Sequence, residues 1–160
     1  MRYIIVDSRE KPKAITKILD YFEHVGIKYE VSKMLFGDYM DYNHPNIVID
    51  RKQNIAELAK NCTVEHERFK REMERAQDAG ATLYILVEQS TYRDRGEHIN
   101  VKRIDDLIRW SGTHTMVKGE KVYRVLKSWM AKYPIEVVFC QKKYTGYNIV
   151  KILYGGANEQ

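Results

Sequence analysis

Short apolar runs alternate with longer amphipathic stretches along this chain, a pattern that predicts a sheet with helices packed on it. Arg2 to Asp7 is too short and too rich in β-branched residues for a helix, so it reads as a buried strand that delivers Asp7 to its C-terminal end. Ile15, Ile18, Leu19 and Phe22 recur at helical spacing after Pro12, and Gly26 closes that stretch. Lys28 to Ser32 alternates weakly. Asp38 to Tyr42 and Ile47 to Lys52 flank the turn-forming cluster Asn43-His44-Pro45-Asn46, and together the three runs predict antiparallel strands.

A short helix is expected near Asn54 to Asn61. A longer, heavily charged one is expected over Val64 to Ala79, with Phe69, Met73 and Ala76 as its apolar stripe and Gly80 as its C-cap. Thr82 to Val87 is a second buried-strand pattern, ending at Glu88, and the polar segment Gln89 to Asn100 reads as an exposed loop. Ile104, Leu107, Ile108 and Trp110 suggest a helix. Val122, Val125, Leu126, Trp129 and Met130 mark a stronger one, stopped by Pro134. Ile135 to Cys140 gives a last strand, and Ile149, Val150, Ile152 and Leu153 a closing helix. The fold class is therefore α/β, a mixed central sheet flanked by helices on both faces. Residues 1–154 are expected to form a single domain, with 155–160 a fraying tail.

Composition sharpens the picture in two ways. The 160 residues carry 27 Lys and Arg against 22 Asp and Glu, a net positive charge that favours a polyanionic partner. No apolar run approaches the length that crosses a bilayer, and no targeting segment opens the chain, so a cytoplasmic protein is expected. Cys62 and Cys140 lie far apart, match no paired metal motif and are expected to be reduced thiols. His24, His44, His66, His98 and His114 show neither triad nor metal spacing. A Gly-rich phosphate loop and a nucleophile motif are both missing, which argues against a small-molecule enzyme.

The chemistry concentrates in Gly37-Asp38-Tyr39 and Asp50-Arg51-Lys52, two carboxylates and a lysine at the ends of strand-like runs. A phosphodiester is an anion, so hydrolysing it needs charge neutralisation on both attacking and leaving oxygens. Hard oxygen ligands that hold Mg2+ or Mn2+ supply this. Lys52, two residues after Asp50, leaves the same face of a strand and can orient water or offset phosphate charge. For Asp38 and Asp50 to share a metal they must leave one face, which requires an even sum of paired residue numbers. A four-residue turn over 43–46 would give an odd sum and separate them, so a three- or five-residue connection, or a bulge, is predicted.

These residues resemble the XPF-type nuclease domain of the PD-(D/E)xK superfamily, found in structure-specific DNA endonucleases. The match is the ordered set Val6-Asp7-Ser8-Arg9-Glu10, Gly37-Asp38-Tyr39, Asp50-Arg51-Lys52, Arg68-Phe69 in a following helix, and Glu88 after an apolar strand. The resemblance implies a restriction-endonuclease-like fold and a metal-dependent endonuclease acting on branched DNA (fork, flap or junction). It implies metal ligands at Asp38 and Asp50 with the Arg51 carbonyl, Lys52 as catalytic lysine, and supporting roles for Asp7, Arg9 and Glu10. It also implies a homodimer, with the Trp129 helix or the closing helix at its interface, and a role in DNA repair or recombination.

Arg68 gains support as a DNA contact from the match. Arg93, Arg95, Lys102 and Arg103, and Lys142 and Lys143 beside Tyr144, are candidate DNA contacts by charge and, for Tyr144, by stacking. The sequence departs from the family in using Asp50 where Glu is usual and in placing Ala56, followed by Glu57, where a late Asp is expected. The helix-hairpin-helix region that often follows is not in the sequence, as in a small phage or bacterial protein. A binding module of the same fold that has lost cleavage is the alternative.

Overall fold

The computed structural model describes residues 1–112 and 116–155. Along the chain the elements are β1 (Tyr3–Asp7), α1 (Pro12–His24), β2 (Lys28–Ser32), β3 (Tyr39–Asp41), β4 (Ile47–Lys52), α2 (Ile55–Asn61), α3 (His66–Asp78), β5 (Thr82–Val87), β6 (Thr91–Asp94), β7 (Glu97–Asn100), α4 (Gly119–Lys132), β8 (Ile135–Phe139) and α5 (Thr145–Tyr154). Six strands form one mixed sheet in the order β2-β1-β3-β4-β5-β8. Within it β3 runs antiparallel to both neighbours, while the β1–β2, β4–β5 and β5–β8 pairs are parallel.

Strand alternation divides the core between the two faces. Ile5, Val48, Leu83, Ile85 and Val87 pack against Ile55 and Leu58 of α2, Phe69 and Met73 of α3, and Val122, Leu126 and Trp129 of α4. On the other face Ile4, Val6, Tyr39, Ile49 and Leu86 meet Ile15, Ile18 and Phe22 of α1 and Ile149 of α5. Each such aliphatic or Phe side chain, once buried, contributes about 1.5–3 kcal/mol, so these stripes rather than helix propensity hold the helices to the sheet. Helices thus cover both faces, as the sequence predicted.

Three predicted elements differ. Lys28–Ser32 is an edge strand parallel to β1, not part of an antiparallel trio. The intervening α1 packs back onto the sheet, and a strand reached through a crossover helix runs in the same direction as the one before it. The segment 89–100 is not a loop but the hairpin β6–β7, which turns at Arg95 and Gly96, both with positive φ (52° and 82°). Tyr92 and Ile99 face one another there and turn toward the core, but the charges between them hid that alternation. The helix expected from Ile104 to Trp110 is a single 3-10 turn, Ile104–Leu107. Its start is held by the Asp106 carboxylate, which accepts from the Lys102 and Arg103 N–H groups. The turn ends where Gly119 docks: the Gly119 N–H donates to the Trp110 carbonyl at 2.7 Å, and a Cβ at Gly119 would sit 1.8 Å from the Leu107 oxygen.

No helix among the described residues is long and apolar enough to cross a membrane. Cys62 and Cys140 are both free and buried. Residues 156–160 of the expected tail, and His114, lie outside the described residues.

Candidate active site

The β3–β4 pair sets the geometry of the site. Tyr39 faces Ile49 and Met40 faces Val48, an even register that, continued by one residue, directs Asp38 and Asp50 to the same face. β3 ends at Asp41 and β4 begins at Ile47, leaving the five-residue connection 42–46. The parity argued from the sequence is therefore the one the chain adopts. The two carboxyl groups come within hydrogen-bonding range of each other, and Lys52 Nζ lies 2.8 Å from Asp50 Oδ2.

Asp38 sits at the end of a tightly held segment. Its N–H donates to the Ile49 carbonyl at 2.7 Å and its carbonyl accepts from Asp7 N–H at 2.8 Å, while Oδ2 accepts from Arg51 N–H at 2.8 Å. The preceding Gly37 has φ +74°, and a Cβ there would stand 2.3 Å from Val48 Cγ1. Only glycine lets the chain pass this close to β4.

Around Asp38 negative charge is crowded. Burial pushes the Asp38 carboxyl well above the ordinary carboxylate range, and the charges of Asp50 and Glu10 push the same way against the Arg51 N–H. Burial works against the Lys52 ammonium, but Asp50, Glu72 and Glu57 outweigh it and raise the Lys52 pKa. Asp50 Oδ2 touches the ammonium yet accepts no well-formed hydrogen bond and is buried. Two facing carboxylates with an under-satisfied oxygen fit a hard divalent cation. Among the described residues no cluster of three acidic, His or Cys side chains forms. That spare protein donor set suits Mg2+, which keeps much of its water shell, with the Arg51 carbonyl the nearby third oxygen proposed from sequence.

The acid pair floors a cleft of about 420 Å3 lined by Asp7, Arg9, Gly37, Asp38, Asp50, Lys52 and the α3 face that carries Arg68, Arg71, Glu72 and Arg75. Asp7 is a girder of this cleft: Oδ1 accepts from Met34 N–H at 2.8 Å and Oδ2 from Arg9 Nε at 2.7 Å. Arg9 also donates to the Met34 carbonyl, so the pair pins the segment leading into Asp38. Arg68 reaches the cleft but is paired with Glu65 at 2.7 Å.

Glu72 was not anticipated from sequence. It accepts from Gly37 N–H at 3.0 Å, and burial, then the Asp50 charge, raises its pKa. The signal was available in the helical spacing, since 68, 71, 72 and 75 share the flank beside the buried stripe Phe69, Met73 and Ala76. Glu57, weighed as a stand-in for a late Asp, is in the first turn of α2, where its N–H caps onto Asn54. Its charge is felt by Lys52, but it does not line the cleft.

Arg51 and Glu10 belong to the other face. Arg51 Nε donates to Glu10 Oε1 at 2.8 Å and Nη1 to Glu88 Oε1 at 2.6 Å. Tyr39 Oη donates to Glu10 Oε1, and Thr145 Oγ1 to Glu88 Oε2. Burial opposes the Arg51 charge, yet these carboxylates raise its pKa. The Glu10 side chain is therefore committed to the guanidinium rather than to the acid pair, although its charge reaches Asp38.

The remaining basic candidates stand apart from the cleft. Arg93 and Arg95 line a separate depression with Arg109 and Trp110. Lys102 lines another beside Tyr144, Gln141 and Asn148. Arg103 approaches only Asp105, at 4.0 Å. Lys142 and Lys143 form a 3-10 turn before α5, with Lys143 Nζ 5.1 Å from the centre of the Tyr144 ring.

A mixed sheet with helices on both faces, carrying opposed carboxylates and a lysine into a cleft walled by a helix face with three arginines, defines a restriction-endonuclease-like α/β domain. The chain belongs to the ERCC4 domain family, whose profile matches residues 6–153. Its fold is similar to that of XPF from Aeropyrum pernix, with a TM-score of 0.66 and 18% identity over 99% of this chain and 65% of that one. A second structure, XPF from Aeropyrum pernix in complex with DNA, gives 0.67 and 16% over 100% and 67%. This chain thus spans about two thirds of the length of those proteins. No curated protein matches its sequence.

Proposed function

We propose that this protein is a divalent-metal-dependent DNA endonuclease acting on branched DNA. The observation that carries the reading is the approach of the Asp38 and Asp50 carboxyl groups to hydrogen-bonding range, with the Lys52 ammonium 2.8 Å from Asp50 Oδ2. Membership of the ERCC4 domain family and likeness to an XPF solved with DNA support it.

Asp38 and Asp50, with the Arg51 carbonyl, would hold Mg2+ or Mn2+. The bound ion would neutralise charge on the phosphate and lower the pKa of its water. Lys52, kept charged by its acidic neighbours, orients the attacking water and offsets charge on the phosphate. Asp7 and Arg9 hold the 33–38 segment so that Asp38 keeps its place, and Glu72 holds the same segment from α3. Arg51, Glu10 and Glu88 keep β4 in register from behind. Arg68 on the cleft wall is a contact for the DNA, and Lys102, Arg103, Arg93, Arg95, Lys142 and Lys143, which stand apart from the cleft, are further contacts for its arms.

Two copies pairing through α5, which exposes Tyr147, would present two clefts to the arms of a branch. α4 is a weaker candidate for that interface, because Trp129 is buried against Phe69 and His66. Repair or recombination of DNA in a bacterial or phage-infected cell is the setting that fits.

The competing reading is a binding module without cleavage. It is favoured by exposed Ala56, at the position where the family resemblance implies a late Asp. Incubating labelled fork, flap and four-way junction DNA with the protein and Mg2+ or Mn2+ decides between them. Metal-dependent cutting that falls roughly 100-fold or more in Asp38→Asn and Lys52→Ala supports the nuclease. Junction binding with no cut in either metal supports the module.

A further inference from the structure

We propose that Arg71 and Arg75 of α3 bind consecutive phosphates of the strand being cut, forming a phosphate track that leads onto the acid pair. The assignment rests on the nuclease reading and adds to it the direction from which the strand enters.

Both arginines line the cleft that Asp38 and Asp50 floor, and both are exposed. What separates them from the other cleft cations is their freedom. Arg9 is tied to Asp7, Arg68 to Glu65 and Lys52 to Asp50. Elsewhere Arg51 is tied to Glu88, Arg109 to Glu97 and Arg124 weakly to Glu120. Among the described residues Arg71 and Arg75 have no such partner, although four carboxylates lie in the same cleft. Those carboxylates are engaged already: Asp7 with Arg9, Asp38 with Arg51 N–H, Asp50 with Lys52, and Glu72 with Gly37 N–H. The result is an acidic floor beneath a rim of unsatisfied guanidinium groups. A cation seats on the floor and an anion on the rim.

The spacing selects the anion. Residues four apart on a helix lie on one face, about 6 Å apart along the axis, comparable to the separation of successive phosphates on one strand. Guanidinium forks grip phosphate oxygens in pairs, which a free amine does not. α3 is fixed in orientation by Phe69, Met73 and Ala76 in the core, so the rim stays aimed at the cleft when empty.

The test measures binding of a fluorescent DNA flap by anisotropy across a salt series, in chelator so that nothing is cut, and then KM and kcat in Mg2+. Each of Arg71→Ala and Arg75→Ala should lower the slope of log affinity against log salt by about 0.7–0.9 and raise KM severalfold, with kcat held within about twofold. Arg124→Ala serves as the exposed control and should change neither. Arg75→Lys should restore the salt slope but not the full KM. An unchanged slope and KM in the double alanine protein would overturn the assignment and leave the nuclease reading standing. A lost slope in a chain that cuts no DNA under any metal would keep the track and remove the nuclease reading.

Discussion

Arg51 Nη1 donates to Glu88 Oε1 at 2.6 Å, and the two side chains are only 5% and 2% exposed. They join β4 to the end of β5 behind the face that carries the acid pair. The pair sits between Glu10 on one side and Thr145 on the other, so every oxygen and nitrogen at its centre has a partner. Glu10 also holds the guanidinium through both its oxygens, so losing Glu88 leaves the Arg51 charge paired but strips Nη1 of its acceptor.

Glu88→Ala should therefore destabilise the fold by about 1–3 kcal/mol, read as a lower urea midpoint at unchanged m-value. A change under 1 kcal/mol would show that the guanidinium finds another partner.

Asp38 provides a metal-linked prediction. Its folded pKa lies above that of the unfolded chain, so its contribution is fully favourable only below the unfolded value and is lost as pH rises through the folded one. In chelator at neutral pH, Asp38→Asn should melt at a higher temperature than the unaltered protein, with the gain shrinking as pH falls toward about 4. Adding Mg2+ should stabilise the unaltered protein and not the variant. Equal Mg2+ response in both would remove Asp38 as a ligand.

Gly37→Ala combines a positive φ with a clash on Val48. The 33–38 segment must shift, and a displacement near 1 Å at Asp38 is expected to slow cleavage about 100-fold, while the salt slope of DNA binding stays unchanged. Undiminished kcat would mean the segment tolerates the move.

Burial pushes the Cys62 thiol up to about 12, against the opposing Lys52 charge. The unfolded thiol ionises near 8.5, so its contribution is complete below that pH and declines from there toward 12. Stability should fall across this alkaline window, and less steeply in Cys62→Ala. Aromatic-disulfide labelling at pH 8 should be slow until the protein unfolds. Rapid labelling of the folded protein would contradict this burial.

Gly119→Ala places a Cβ against the Leu107 and Trp110 carbonyls. The start of α4 must move, with an expected loss of roughly 1–3 kcal/mol, visible as a lower Tm. A higher Tm, as expected for Ala in an unobstructed helix, would show the close approach is not maintained.

Much of this architecture is legible in the residues. Apolar runs located the central strands, and the requirement that Asp38 and Asp50 share a metal, joined to strand parity, predicted a connection of three or five residues where the turn formers alone suggested four. The same alternation, carried one step further, points Arg51 away from Lys52. Glu10 follows it there because the turn after β1 carries the chain over to that side, which adjacency to Asp7 and Arg9 conceals. The direction of β2 depended on where α1 packs, a tertiary matter. The β6–β7 ribbon was masked by charged residues at its turn, and Glu72 by a helix whose charges look like an ordinary solvated flank.

The hydrogen bonds that run from Thr145 through Glu88 to Arg51, and from the Arg51 N–H to Asp38, connect the final helix mechanically to the first acid. A tug or twist delivered to α5, by a neighbouring molecule or a tethered segment, would arrive at the cleft as a change in aim.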